Sequence, residues 1–384
     1  MTDLIQYKDF DEFKVRKYKR KVFFNNLWDS DPLLLESRGH VLDKDNNLLA
    51  RPFKKIFNYK ENNTVIDLDQ EVIAVKKVNG FMFHVTQHED FIIEGTTGSL
   101  DSPFTKLAKE NMIKHGVNYD AFKEILNYYK EPMTCIFEIK DNTNDPHIID
   151  DEEDGVYLLG IRYVSSGKLL SQEVLDNVAL LLGVKRPEWH ITEFGDVLEL
   201  VQEVKHEGFV VYDVNTHDGL LKLKSPFYIS KKSLMRKSAD NVYNKEYKSL
   251  VDEEYYPLIE KIRELYTLHQ WSILNAQERG KVFEIVYKSL ILSIDEMIEI
   301  ISNHPKLSYN LKDDAVKIMY DHHAKYFILT VDLYKLIESE MELRRVDVIR
   351  GVGYTFNEAI KNLYINVMCI LDDHDYKNDT IIIW

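Results

Sequence analysis

The sequence predicts an α+β fold in two parts: antiparallel sheets with flanking helices over residues 1–243, then an all-helical domain over residues 244–384. From about residue 33 to about residue 230 short β-rich runs recur, and after about residue 245 the pattern turns helical throughout. The length, 384 residues, is enough for two domains that each bury a core.

In chain order, the strand-like runs are HVLDKDNNLLARPF, VIAVKKVNGFMFHV, DFIIEG, MTCIFEIK, GVYLLGIRYV, GFVVYDV and LLKLKS. Three helices interrupt them. Ser102-Pro103 reads as a cap followed by proline at the first helical position, and that helix runs to Gly116. NYDAFKEILNYYK is amphipathic, and SQEVLDNVALLLG starts at Ser171 and stops at Gly183. The second part opens with EEYYPLIEKIRELYTLHQWSIL and has a capping box from Ser293 to Glu296.

The composition, 45% hydrophobic and 29% charged, is that of a globular protein without an apolar run of about 18 residues to span a membrane. The amino terminus, charged from its third residue, lacks the apolar core of a signal peptide, and Cys135 and Cys369 have no metal-site spacing. A cytoplasmic location and packing roles for both thiols are the expectation. A net charge of −15 argues against coating nucleic acid through bulk electrostatics. The one dense basic run, KVRKYKRK from Lys14 to Lys21, reads first as a solvated helix face.

VIAVKKVNGFMFHV reads as a half-buried hairpin turning at Asn79-Gly80, yet it carries Lys76 and Lys77. A lysine three residues ahead of a glycine at a strand end has a chemical use, because the glycine permits a tight turn and the amine then faces a phosphate. The same spacing recurs at Lys205-His206-Glu207-Gly208, so spacing alone does not choose. Company favours the first copy. Lys222 and Lys224 alternate in a strand and project to one face, where they repel unless an anion neutralises them. Glu138 lies inside an apolar strand and Glu207 at the entrance of another. Taken singly, each carboxylate reads as a turn cap or a lysine's partner. As an ordered set, the lysines and carboxylates fit a nucleoside triphosphate pocket, with cations on the phosphates and carboxylates on a sugar hydroxyl and a metal.

The order and wording of these motifs resemble the covalent nucleotidyltransferases, and most closely the bacteriophage RNA ligase 1 family. The strongest match is LLLESRGHVLDKDNNLLARPFKKIFNY, with its Arg-Gly pair and its Arg-Pro-Phe-x-Lys-x-Phe-Asn run. The likeness continues through Lys77-Val78-Asn79-Gly80, Gly98-Ser99, Phe137-Glu138, GVYLLGIR, Glu207-Gly208-Phe209 and Lys222-Leu223-Lys224, over roughly residues 20 to 235. It implies a nucleotidyltransferase domain and an ATP-dependent RNA ligase that uses Mg²⁺ or Mn²⁺. Lys77 would attack the α-phosphorus of ATP and carry AMP. Arg38, Lys55, Lys222 and Lys224 would hold phosphates, Glu138 the ribose and Glu207 a divalent metal, with Phe24 lining the ATP site. AMP would pass to an RNA 5′-phosphate and a 3′-hydroxyl would displace it. The helical tail resembles that family in length and helicity, which implies repair of cleaved transfer-RNA anticodon loops. A monomer in the host-cell cytoplasm is then expected.

Elementary chemistry agrees. A free lysine, with a pKa near about 10.4, is scarcely nucleophilic at neutral pH, and neighbouring cations and a metal disfavour its ammonium form. Lys76, Lys222 and Lys224 are suitable neighbours, although strand alternation would turn Lys76 outward. Two positions depart from the family pattern: Asn79 where aspartate commonly precedes the glycine, and Thr97 where a basic residue often precedes the glycine-serine turn. Neither removes the nucleophile. Asp321-His322-His323 and the DDHD run from Asp372 to Asp375 read as a helix face and a solvated tail, and Gly351-Val352-Gly353 as following no strand. Two other readings stay open: a GTP-dependent capping-type transferase and a nucleotide-binding protein without covalent chemistry.

Overall fold

The computed structural model describes residues 4–145, 153–235, 238–302, 316–321, 326–337, 342–371 and 381–383. The chain divides into two compact units, Met1–Tyr228 and Ile229–Trp384.

Three sheets build the first unit. One runs β1 (Ile5–Asp9), β2 (Phe13–Tyr18), β3 (Arg38–Asp43), β4 (Leu48–Ala50) in spatial order. A second takes β5 (Phe57–Asn58), β6 (Glu71–Lys76), β11 (Trp189–Glu193), β12 (Gly208–Asp213) and β13 (Gly219–Lys224) in the order β11-β6-β12-β13-β5. The third takes β7 (Phe81–Gln87), β8 (Ile92–Thr96), β9 (Met133–Lys140) and β10 (Gly155–Tyr163) in the order β10-β9-β7-β8. All pairings are antiparallel except β13 with β5.

The expected strands therefore form, but the expected hairpin does not. β6 and β7 belong to different sheets, and Val78-Asn79-Gly80 carries the chain from one to the other. Gly80 is required for a reason other than turning: a Cβ there would sit 2.2 Å from the Ile139 carbonyl oxygen of β9. The basic run also departs from expectation, since it is shared between β2 and the short helix Arg20–Phe24. Alternation within Phe13-Lys14-Val15-Arg16-Lys17-Tyr18 buries Val15 and gives the strand an apolar inward face despite its charge.

The three expected helices form as Pro103–Lys114, Asp120–Tyr129 and Gln172–Leu182. Ser102 caps the first by accepting from the Thr105 amide at 3.1 Å, and Gly183 ends the third at φ +69°. Together they cover the β7–β10 sheet with Ala108, Met112, Phe122, Ile125, Leu175 and Leu182 against Phe83, Phe137 and Ile139. Apart from Ala108, each such side chain contributes about 1.5–3 kcal/mol by leaving water. This core makes β9, and hence Glu138, a fixed platform.

The second unit corrects the all-helical expectation. It does contain the helices Tyr256–Leu265, Leu268–Ile273, Ala276–Ile291, Ile294–Ser302 and Phe356–Leu371. Capping boxes stand at Thr267/Gln270 and Asn275/Glu278, and the Glu296 amide donates to Ser293 Oγ at 3.1 Å. However, β14 (Val316–Asp321), β15 (Tyr326–Ile337), β16 (Glu342–Gly353) and β17 (Ile381–Ile383) form an antiparallel sheet. YFILTVDLYKLI and ELRRVDVIRGVG are rich in β-branched residues, and their length and charge mask a period of two. Gly351 to Gly353 therefore ends a strand, and Asp321 ends β14 rather than lying in a helix. His322, His323 and Asp372 to Asp375 lie outside the described residues.

Candidate active site

A cavity of about 280 Å³ opens within the first unit, lined by residues of all three sheets. Its charged and polar wall is Arg38, Lys76, Lys77, Thr97, Glu138 and Lys222. Its apolar wall includes Phe53, Ile56, Val75, Met82 and Val210.

Lys77 stands where β6 ends. Its amide donates to the Gly208 carbonyl at 2.9 Å, so β12 fixes the backbone on one side. Its ammonium donates to Glu207 Oε2 at 3.0 Å, and the Lys224 ammonium holds the other oxygen, Oε1. Antiparallel register explains the meeting, because β12 begins at Gly208 with Lys76 opposite Phe209 and Lys224 opposite Gly208. Gly208 is obligatory here: at φ +129° its missing Cβ would lie 2.0 Å from the Leu223 carbonyl oxygen.

Glu138 enters from β9, opposite Met82 of β7, and accepts from the Gly80 amide at 3.1 Å. The two carboxylates are driven apart electrostatically. Burial, helped by the neighbouring Glu207 charge, pushes Glu138 up to about 7 against the pull of Lys77 and Arg38. Burial would raise Glu207 too, but Lys224 and Lys77 outweigh it and hold that carboxyl at about 2. Near neutral pH one carboxyl is charged and the other titrates.

Arg38 opens β3. On either side of it in the chain, Glu36 accepts from the buried Arg162 through both oxygens at 2.8 and 2.7 Å, and His40 stands 3.2 Å from Glu36. Burial holds His40 down at about 4, so it spaces this cluster as a neutral ring at physiological pH.

The family of proteins described as RNA ligase matches residues 36–233, just over half of the chain. The chain belongs to the RNA ligase family. The resemblance expected from the sequence is thereby borne out, as the antiparallel α+β fold is by the sheets and helices of the first unit. Among solved structures, the chain is similar to a Naegleria gruberi RNA ligase with pyrophosphate, at 17% identity and TM-score 0.35, covering 42% of this chain and 52% of that one. It is also similar to two forms of an archaeal ATP-dependent RNA ligase. Form 2 shows 16% identity and TM-score 0.45 over 69% of this chain and 70% of that one. Form 1 shows 12% identity and TM-score 0.48 over 95% and 92%. The chain spans about half the length of the Naegleria gruberi ligase. No curated protein matches it.

Within this RNA ligase family member, Arg38, Lys77, Glu138 and Lys222 surround one cavity, with Glu207 and Lys224 joined to it through Lys77. Lys55 and Phe24 are not in its wall. Lys55 is buried, 3.2 Å from Glu61 Oε1, with its ammonium 5.6, 5.2 and 5.1 Å from the Phe23, Trp28 and Phe57 ring centres. In the extended segment around it, Phe53 and Ile56 take the cavity side instead. Phe24 packs edge-on to Phe23 at 5.5 Å. Lys76, expected to face outward, lines the cavity, because β6 ends there and strand alternation lapses.

Sequence reasoning missed Tyr212, which lines the cavity from β12, and Phe53 as its aromatic wall. Alternation along GFVVYD places Val210 and Tyr212 on one face and was the available signal. Asn79 is buried, and its Nδ2 has no hydrogen-bond partner among the described residues.

A divalent metal fits this donor set only in company with a ligand. Among the described residues no group of three or more His, Cys, Asp or Glu could hold an ion alone. Glu207 and Glu138, with substrate phosphates, match the way Mg²⁺ is held by one or two carboxylates and phosphate oxygens.

Proposed function

We propose that this chain is an ATP-dependent ligase of RNA ends in which Lys77 carries AMP. One observation carries the reading: the Lys77 ammonium, 3.0 Å from Glu207, faces a cavity whose other walls bring Arg38, Lys222 and Glu138. The apolar wall suits a purine, and the cations suit a polyphosphate.

In the first step the neutral amine of Lys77 forms a bond to the α-phosphorus as the bond to pyrophosphate breaks. Glu207, held at about 2, is too weak a base to take the amine's proton, which leaves with the pyrophosphate or to water, and its role is to orient Nζ. Arg38 and Lys222 neutralise charge that builds on the phosphoryl oxygens and the leaving group. Glu207 would help to hold a divalent metal brought by the triphosphate, and that ion would supply further neutralisation of the charge. Glu138, pushed up to about 7 by burial, accepts from a ribose hydroxyl when charged and can donate to it when protonated.

The ends joined are an RNA 5′-phosphate, to which AMP passes, and a 3′-hydroxyl, which displaces it. Cleaved transfer RNA is the proposed natural substrate and a monomer the proposed state. With a sheet in the second unit, helicity no longer supports that substrate, and family resemblance alone motivates it.

The test is incubation with α-labelled ATP and Mg²⁺, then a chase with RNA strands ending in 5′-phosphate or 5′-hydroxyl. Label on the folded protein that moves only to the 5′-phosphate strand supports the reading. ATP binding without covalent label would leave a nucleotide-binding protein. Competition between nicked transfer RNA and an unstructured strand decides the substrate, and equal use would overturn the transfer-RNA assignment.

A further inference from the structure

The pairing of β2 with β3 slips by one residue between Arg16 and Lys17. Arg16 faces His40, but Lys17 faces Arg38, so Gly39 is the extra residue of a β-bulge. Its φ of +92° is a glycine conformation. In a regular ladder Arg38 and His40, two residues apart, would share a face. The bulge separates them. His40 is fully buried beside Glu36, whereas Arg38 lines the cavity with Lys17 directly across from it.

The bulge rests on the turn that follows β8. A Cβ on Gly39 would meet the Thr97 Cα at 2.8 Å, and one on Gly98 would stand 3.2 Å from Lys17 Nζ. The Lys17 ammonium thus sits over Gly98-Ser99, beside a cavity wall formed by Thr97 and Arg38. Thr97 brings no charge to this turn. The nearby acid is already used, since Asp101 accepts from Lys8 at 3.1 Å and from Ser99 Oγ at 2.7 Å. Lys8 also donates to Ser99 Oγ at 2.7 Å, which stiffens the turn.

Lys17 itself makes no ion pair or side-chain hydrogen bond with a described residue, and it is only half-buried. Two like charges directly opposed across strands are unfavourable on their own. A terminal phosphate bridging them removes the repulsion and gives each a charge-assisted partner.

We propose that Lys17, set opposite Arg38 by the Gly39 bulge, receives the 5′-phosphate of the RNA end at the Gly98-Ser99 turn. This rests on the ligase reading above. A terminal phosphate could belong to ATP or to RNA, and place decides: Lys17 stands beside the cavity rather than in its lining, and β2 continues the basic run from Lys14 to Lys21. A polymer end enters there. The triphosphate of a nucleotide seated on Lys77 lies within.

The experiment uses the full chain with Lys17→Met, which keeps the aliphatic stem, and with Lys17→Arg. Affinity is measured for one short RNA bearing either a 5′-phosphate or a 5′-hydroxyl, with the KM for ATP taken in pyrophosphate release. The expected result is a loss of about tenfold in affinity for the 5′-phosphate strand in Lys17→Met. The 5′-hydroxyl strand changes little, and Lys17→Arg restores the preference. An equal loss on both strands, or none, overturns the proposal, and so does a raised KM for ATP with RNA affinity intact. Should Lys17→Met fail to fold, Lys17→Gln carries the same comparison. If the wild type forms no lysyl-AMP, the ligase reading fails, while the binding arm still reports on Lys17.

Discussion

Lys77-Val78-Asn79-Gly80 and Lys205-His206-Glu207-Gly208 share one spacing and meet in the fold, yet they supply opposite halves of the site. In the first the lysine faces the cavity; in the second the lysine is exposed and the glutamate two residues on is buried beneath Lys77. The two glycines differ as well. Gly80 permits close approach to the Ile139 carbonyl, whereas Gly208 combines a left-handed φ with an equally close Leu223 carbonyl. Spacing records that a backbone is crowded, and burial and charge decide which side chain beside it does chemistry.

The sharpest way to break this comparison is to remove each lysine. Lys77→Ala should abolish covalent AMP labelling, a loss of at least about a thousandfold, because the attack on the α-phosphorus is assigned to its amine, while Lys76 and Lys222, also in the cavity wall, stay in place. Lys205→Ala should label within about twofold of wild type, as an exposed residue outside the cavity. Equal losses in a labelling time course would dissolve the distinction.

The buried carboxylate between Lys77 and Lys224 comes next. Glu207→Ala removes the carboxylate paired with the buried Lys224 ammonium, and breaking such a pair costs about 3–5 kcal/mol. Urea unfolding should show it; a change under about 1 kcal/mol would mean that the pair adds little.

The glycines sharpen the comparison further. Gly208→Ala meets both strain and overlap, and Gly80→Ala overlap alone, so the first should lose about 2–4 kcal/mol and the second less. Thermal melts that reverse this order would contradict the assignment of their roles.

The smallest effect is a slope with pH. Glu138 ordinarily titrates at 4.5 and is raised to about 7, so between those values the folded state binds more protons than the unfolded one. Its contribution is fully present below 4.5 and lost as pH rises through 7. Glu207, lowered to about 2, has the opposite sign: its contribution is present above 4.5 and lost as pH falls through 2. Glu138→Gln should therefore flatten the fall in melting temperature between 4.5 and 7, and an unchanged slope would place the raised group elsewhere.

Legibility in the sequence followed period and company. GFVVYD and MTCIFEIK announced strands by their apolar runs, and LKLK placed two ammonium groups on one face, as β13 does. What stayed hidden needed long-range information. Asn79-Gly80 looks like a hairpin turn because sequence does not say which sheet the next strand joins. β2 was masked by its charge, and β15 and β16 by their length. Lys55 matched its motif, but Glu61 and an aromatic cage, supplied partly from distant segments, hold it away from the cavity. The Gly39 bulge that turns Arg38 toward Lys17 has no signature beyond one glycine.

The most direct measurement is to locate the adenylate itself. Wild-type protein is incubated with ATP and Mg²⁺, digested at a pH that preserves the phosphoramidate, and its peptides sequenced by mass spectrometry. The account predicts AMP on Lys77 alone. AMP on Lys205 or another lysine, or none on folded protein that binds ATP, would contradict it.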